Sequence, residues 1–154
     1  MLTIFDVGMY DGEDTRYYLK TGHRVVAVEA NPELAEAARE RFAAEIGAGR
    51  LVVVNAAVTP AGEPAVLALA GADLGSSSIR PEWVESKRPA GAVEVRGVTL
   101  ADLFAEYGVP HYLKVDIEGS DGLCIRALTP ERRPRYVSWE VGDGAGGVIC
   151  HAPG

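Results

Sequence analysis

Cysteine is scarce in this chain: Cys124 and Cys150 are the only two in 154 residues. Two thiols build no disulfide framework, so a reduced, cytoplasmic setting is expected. No Cys/His spacing suggests zinc, no resident metal is expected, and neither cysteine has the His and Asn pattern of a thiol nucleophile. No apolar run approaches the roughly 18 residues needed to cross a bilayer, and the opening MLTIFDVG lacks the basic leader of a secretory signal. Positive charge is also in deficit. Fifteen Lys and Arg against 22 Asp and Glu leave a net charge of −7, the wrong sign for a nucleic-acid surface. Neither a membrane nor a nucleic acid is therefore expected as a partner. What is present is ordinary for a globular protein, with 47% hydrophobic and 24% charged residues. The length suggests one domain, residues 1–154, with a core at 2–141 and a glycine-rich tail at 142–154. A chain this size buries roughly 68–70% of its unfolded surface, enough for one core without staples.

Strand and helix patterns alternate. Leu2–Val7, Val25–Glu29 and Leu51–Asn55 are short, β-branched apolar runs, read as buried strands. Between them, Asp14–Thr21 reads as a short helix ended by Gly22. A second helix begins at Asn31-Pro32-Glu33, where Asn caps, Pro sits at the first position and Glu faces the dipole. Leu34, Ala38, Phe42 and Ile46 mark its apolar face. Ala65–Ala70 and Val93–Val98 read as strands at a sheet edge, with Gly71–Ala92 as a loop between them. Thr99 and Asp102 form a capping-box pattern before a helix carrying Leu100, Leu103, Phe104 and Tyr107. Tyr112–Asp116 is a fourth core strand, Asp121–Leu128 a short helix and Tyr136–Val141 a fifth core strand. Successive strand–helix–strand units predict an α/β fold: a mostly parallel sheet with right-handed crossovers in three α/β/α layers.

In such a sheet, ligands bind outside the carboxyl ends of the strands near the switch in strand order, where helix N-termini offer free amides. The polar residues ending strands are Asp6, Glu29, Asn55, Asp116 with Glu118, and Glu140. Asp6-Val7-Gly8-Met9-Tyr10-Asp11-Gly12 puts a carboxylate at the tip of the first strand and two glycines in the turn after it. Gly8 lets a ligand approach the backbone and Gly12 relieves packing at the helix start. The same turn also serves as a tight connection with no ligand, and it is not the G-x-G-x-x-G of dinucleotide enzymes. Glu29 is placed to accept hydrogen bonds from both hydroxyls of an adenosine ribose. Asp116 and Glu118, two apart on a strand-end turn, can orient a substrate, anchor a cation or accept a proton; alternatively, with Asp121 they make a helix N-terminal charge cluster. Ser77, Ser78 and Arg80, with Trp83 and Lys87 nearby, lie in a loop long enough to form a lid or substrate contact, or a plain linker. These three and Glu140 are the candidate substrate contacts. His23 and His111 precede strands and lie at the wrong end of the sheet for catalysis.

DVGMYDGEDTRYYLKTG, VVAVEANPEL, NAAV and YLKVDIEGSD, in this order, resemble the FkbM-type methyltransferases, from about Leu2 to about Gly142. The resemblance implies a class I Rossmann-like fold and S-adenosylmethionine as cofactor. It implies that Asp6, Gly8, Tyr10, Gly12 and Thr15 cradle the methionine end, with Tyr10 standing where many relatives have Asn. It further implies Glu29 on the ribose, Asn31 and Asn55-Ala56 beside the adenine, and Asp116 facing the methyl group and the acceptor. A sulfonium is already a good leaving group, so transfer to a small-molecule or sugar hydroxyl needs alignment and, for an alcohol, a base. Asp116 is the first choice for that base and Glu118 the second. A nucleotide-dependent oxidoreductase and a non-catalytic binding or assembly protein of the same fold are the alternatives. Relatives continue past the fifth strand into a helix and an antiparallel strand pair, for which residues 142–154 are too few. The fifth strand is thus expected as an apolar edge, covered by the tail or paired with a second copy in a homodimer.

Overall fold

The computed structural model describes residues 1–71, 74–85 and 89–140. Its centre is a five-stranded parallel sheet built from β1 (Thr3–Val7), β2 (Arg24–Glu29), β3 (Leu51–Asn55), β8 (Tyr112–Val115) and β9 (Tyr136–Trp139). The order across the sheet is β3-β2-β1-β8-β9. The chain winds outward from β1 to β3, then returns to lay β8 against the other side of β1. The strand order thus reverses between β1 and β8, and the crevice above that junction is where a ligand site is expected.

Helices cover both faces. Phe5, Val7, Val26, Val28, Leu113 and Val115 point to one side, where they pack with Leu103 and Phe104 of α5 (Leu100–Tyr107) and Cys124 of α6 (Asp121–Arg126). Val25, Ala27 and Leu51 point to the other, against Leu19 of α1 (Glu13–Lys20), Ala38 of α2 (Pro32–Arg41) and Phe42. The period-2 alternation of the strands therefore feeds two separate apolar layers, the three-layer arrangement that the pattern predicts. The caps form as read: Asn31 accepts from the Glu33 N–H at 3.0 Å, and Thr99 and Asp102 complete a reciprocal capping box.

Three expectations change. The second helix bends at Phe42, whose ring lies against Gly12, and continues as the short α3 (Ala43–Gly47). β8 and β9 each end before the boundary expected for them, and α6 ends at Arg126. The middle segment adds nothing to the edge of the main sheet. Instead β5 (Ala65–Ala70) and β6 (Pro89–Val95) pair with each other as an antiparallel arm, with α4 (Pro81–Val84) between them. The cause is that the arm has its own apolar face: Leu67 and Val95 bury against Ala57 together with Leu69, Ile79 and Val93. Ala57 and Val58, as β4, pair separately with Gly97 and Val98, as β7. No described helix is long and apolar enough to cross a membrane. β9 is an edge of the sheet as described; its expected cover, residues 142–154, lies outside the described residues, as do Val141 and Lys87.

Candidate functional site

The turn after β1 is fixed by sterics. Gly8 has φ +89°, and a Cβ there would stand 1.8 Å from the Asp116 carbonyl oxygen. Only glycine lets the β1 turn and the chain leaving β8 come this close. The Gly8 and Met9 N–H groups both donate to Val28 O, at 2.9 and 3.1 Å, locking the turn onto β2. Gly12, also at positive φ, caps α1 and lies against the Phe42 ring. Asp6 lies beneath this turn with 0% exposure. Its oxygens accept from Thr15 Oγ1 at 2.7 Å and from Lys114 Nζ at 3.4 Å. Burial pushes its carboxyl above the usual range, against the pull of Lys114 and Thr15.

Glu29 forms the next part of the floor. Its Oε2 accepts from the Tyr10 N–H and its Oε1 from the Asn31 N–H, each at 2.8 Å. Tyr10 presents its N–H from a left-handed conformation, φ 51°, an arrangement that turns the chain back towards β2. Burial raises the Glu29 carboxyl, and the hydrogen bonds from the Asn31 and Tyr10 amides oppose the shift. Asn55 Nδ2 donates to the Glu29 and Ala30 carbonyls at 2.8 and 3.1 Å, pinning the β2 end to β3.

The opposite wall combines the chain after β8 with the arm. Asp116 is 45% exposed at its side chain. Its carboxyl is raised by burial, and by the charges of Glu118, Asp121 and Asp14, while Lys114 pulls the other way. Glu118 has φ 48°; its Oε2 accepts from Trp83 Nε1 at 2.8 Å and its carbonyl accepts from Ser78 Oγ at 2.7 Å. Arg80 donates through Nη1 to Gly119 O at 2.9 Å and through Nε to Glu82 at 2.8 Å. The arm is thus fastened across the top of β8 by Ser78, Arg80 and Trp83. Ser77 turns inward to the arm itself, accepting from the Ala70 N–H at 3.2 Å.

Between these walls lies a half-open cleft of about 180 Å³. Of the sequence-predicted residues, Gly8, Tyr10, Glu29 and Ala56 line one side and Asp116, Glu118, Ser77 and Ser78 the other. Asp6, Gly12, Thr15, Asn31 and Asn55 do not line it; they hold the lining residues from behind. Arg80 grips the rim. Glu140 joins Asp116 and Glu118, with one oxygen of each within 4.8 Å of the others. Val28, Ala57, Leu67 and Ile79 supply apolar lining that sequence reasoning did not assign to the site. His23 and His111 lie beside Leu2 and Tyr136 in a groove at the other end of the sheet, away from this chemistry. The Cys124 thiol is buried and pushed up to about 12, which makes it inert as a nucleophile. One charged residue was missed. Lys114, in mid-strand, places its Nζ 3.0 Å from Asp14, 3.4 Å from Asp6 and 3.8 Å from Asp116. A lysine inside an otherwise apolar strand, two residues before a strand-end Asp, was the available signal.

The family model described as Methyltransferase FkbM domain matches residues 6–148, which span both walls of the cleft. No curated protein and no solved structure matches the chain.

Proposed function

The chain belongs to the FkbM methyltransferase family, and on that premise we propose that it transfers a methyl group from S-adenosylmethionine to an oxygen of a small-molecule or sugar acceptor. The observation that carries the reading is the state of Glu29. Two backbone N–H groups fix its two oxygens at the floor of the cleft, so the carboxylate is oriented before any ligand arrives. A vicinal diol needs two acceptor positions held side by side, and a carboxylate has lone pairs left for them after two amide bonds. The surroundings fit the rest of the cofactor. Gly8 has no side chain to block close approach to its backbone, and Ala30, Ala56 and Ala57 offer a small-residue, apolar wall for a flat base.

When bound, the cofactor supplies a methyl group on a sulfonium, an activated centre for displacement. The protein then has to align the acceptor, exclude water and take its proton. Val28, Ala57 and Leu67 keep one wall of the cleft dry. Asp116 is the base: it lines the cleft and is partly exposed, and burial beside other carboxylates raises its affinity for a proton. Glu118 is occupied by the Trp83 indole, which favours an orienting role on the acceptor. Ser78 and the arm close the acceptor side.

Calorimetric titration with S-adenosylhomocysteine tests the reading. Wild-type protein is expected to bind it and Glu29→Ala to lose most of the affinity. An absence of wild-type binding removes the cofactor, and equal binding by both removes the role of Glu29. Binding without methyl transfer across a broad acceptor panel points instead to a non-catalytic protein of this fold.

A further inference from the structure

The Lys114 ammonium is the point at which the elements around the cleft meet. Asp6 of β1 and Lys114 of β8 are direct partners in the parallel register, so their side chains leave the same face of the sheet. Asp14 reaches the ammonium from the first turn of α1, and Asp116 from the chain beyond β8. An ammonium has three N–H donors, and here three carboxylates face it at 3.0, 3.4 and 3.8 Å. Lys114 is 18% exposed and Asp6 fully buried. Burying Asp6 costs its charged form more than Lys114 and Thr15 return to it, so stability gives little reason for an ion pair here. What the lysine does provide is geometry. It fixes one carboxylate under the glycine turn and another on the cleft wall, across the switch point of the sheet.

We propose that Lys114 is a positioning residue of the site, holding Asp6 and Asp116 as ionised carboxylates in one arrangement so that ligand affinity stays constant through the neutral pH range. The groups facing this cluster are consistent with that role. Asp6 has Lys114 on one side, with Asp14 and the Thr15 hydroxyl on α1; its charge is also felt by Tyr18 on α1 and Glu29 on β2. Asp116 feels Lys114, Glu118, Asp121 and Asp14, with Glu140 nearby. Lys114 supplies the positive charge in a neighbourhood otherwise made of carboxylates, and burial, which works to neutralise it, is outweighed by Asp6, Asp14 and Asp116.

The proposal rests on the methyltransferase reading only for the identity of the ligand, so its test has two arms. In the first, carboxyl carbon resonances of Asp6 and Asp116 are titrated in ligand-free wild type, Lys114→Met and Lys114→Arg. In Lys114→Met both midpoints are expected to rise by about one pH unit or more, the usual effect of losing an opposite charge within 4–6 Å; Lys114→Arg should follow the wild type. Unchanged midpoints in Lys114→Met overturn the proposal. In the second arm, affinity for S-adenosylhomocysteine is measured at pH 6 and pH 8. Lys114→Met should lose affinity at pH 6 and regain part of it at pH 8, whereas an equal loss at both values indicates a merely structural role and overturns it. Should the wild type not bind this ligand, the cofactor reading fails and the first arm alone decides on Lys114. Should Lys114→Met not fold, Asp14→Asn decides, because Asp14 is a half-exposed helix residue. Removing Asp14 takes away its direct repulsion and lowers both midpoints in any case. The proposal therefore requires in addition that Asp14→Asn keep affinity for S-adenosylhomocysteine equal at pH 6 and pH 8; a pH-dependent loss overturns it.

Discussion

On one side of the cleft Glu29 is clamped by two backbone amides, from Tyr10 and Asn31, at 2.8 Å each. On the other, Glu118 is held by the indole of Trp83, 35 residues away on an arm that stands apart from the main sheet. The first wall is made of strand ends and tight turns, so its geometry is set by the backbone of the parallel sheet. The second is made by side chains that reach from one loop to another. A wall built from backbone suits a ligand that never changes, and a wall built from side chains can be altered without disturbing the sheet. The contrast matches the two jobs of the proposed enzyme, which needs one cofactor and a particular acceptor.

The most severe way to break the contrast is at Gly8. Gly8→Ala places a methyl group 1.8 Å from the Asp116 carbonyl oxygen in a backbone conformation that alanine resists. Neither chain can yield without separating β1 from β8, so a loss of about 3–5 kcal/mol is expected. Thermal or urea unfolding measures it. A near-native melting temperature would mean that the first wall is as pliable as the second.

Glu29→Ala comes next. It leaves the Tyr10 and Asn31 N–H groups without their acceptor, at about 1–3 kcal/mol of stability. Removing two hydrogen bonds from a charged acceptor should weaken S-adenosylhomocysteine by about 3 kcal/mol, on the order of a hundredfold. Unfolding and calorimetry on the same sample separate the two effects. A variant that lost stability but kept affinity would make Glu29 a purely structural link between turns.

The same contrast explains what could be read in the sequence. Each strand of the first wall announces itself as a short β-branched run with a polar residue at its end, and the glycines and caps between strands are local signals. Gly8, Glu29 and Asn31 were therefore legible, as was the three-layer fold, and the end of β8 marked Asp116 on the opposite wall by the same signal. Residues 65–98 carried no such signal. Their strands were visible, but not that Leu67 and Val95 would bury on Ala57 to make a separate arm. The pairing of Trp83 with Glu118 and of Ser78 with the Glu118 carbonyl joins residues 35 and 40 positions apart, a relation that no local pattern encodes. Asp6 illustrates a different limit. Its place at the strand tip was plain, yet the inward side of the alternation sends it to Thr15 and Lys114, beneath the cleft lining. Lys114 stands in the YLKVDIEGSD motif of a core strand, but no local pattern says that carboxylates from β1, α1 and the chain after β8 converge on its ammonium.

Trp83→Phe sharpens the comparison from the second wall. It keeps an aromatic ring over Gly119 and removes the N–H that holds Glu118. One part-buried hydrogen bond to a charged group gives a modest loss, about 1 kcal/mol. Amide exchange should quicken in β5 and β6 while the amides of β1 and β2 keep their protection, and affinity for S-adenosylhomocysteine should not change. Faster exchange in β1 or β2 would show that the two walls are one mechanical unit.

The smallest effect is the most direct reading of the charge balance at the cleft. In the fold the carboxyl of Asp116 is raised by burial and by Glu118, Asp121 and Asp14, and lowered by Lys114, with the raising influences ahead. A carboxyl whose folded pKa lies above its unfolded value binds its proton more tightly in the native state. Stability from this group therefore declines as pH rises from the unfolded value, near 3.8, through the folded one. Asp116→Asn imitates the protonated form at every pH. Wild type and variant should consequently differ least at the acid end of that window, and the wild type should fall behind as the pH climbs towards neutral. Because Asp116 is 45% exposed, water screens its charge and the divergence stays small, so it is best followed as a difference in melting temperature between paired samples. If the wild type instead gains on the variant towards neutral pH, Lys114 outweighs burial and the neighbouring carboxylates together. Asp116 would then have a lowered proton affinity and be a weaker base than its surroundings suggest, with Glu118 the next residue to substitute.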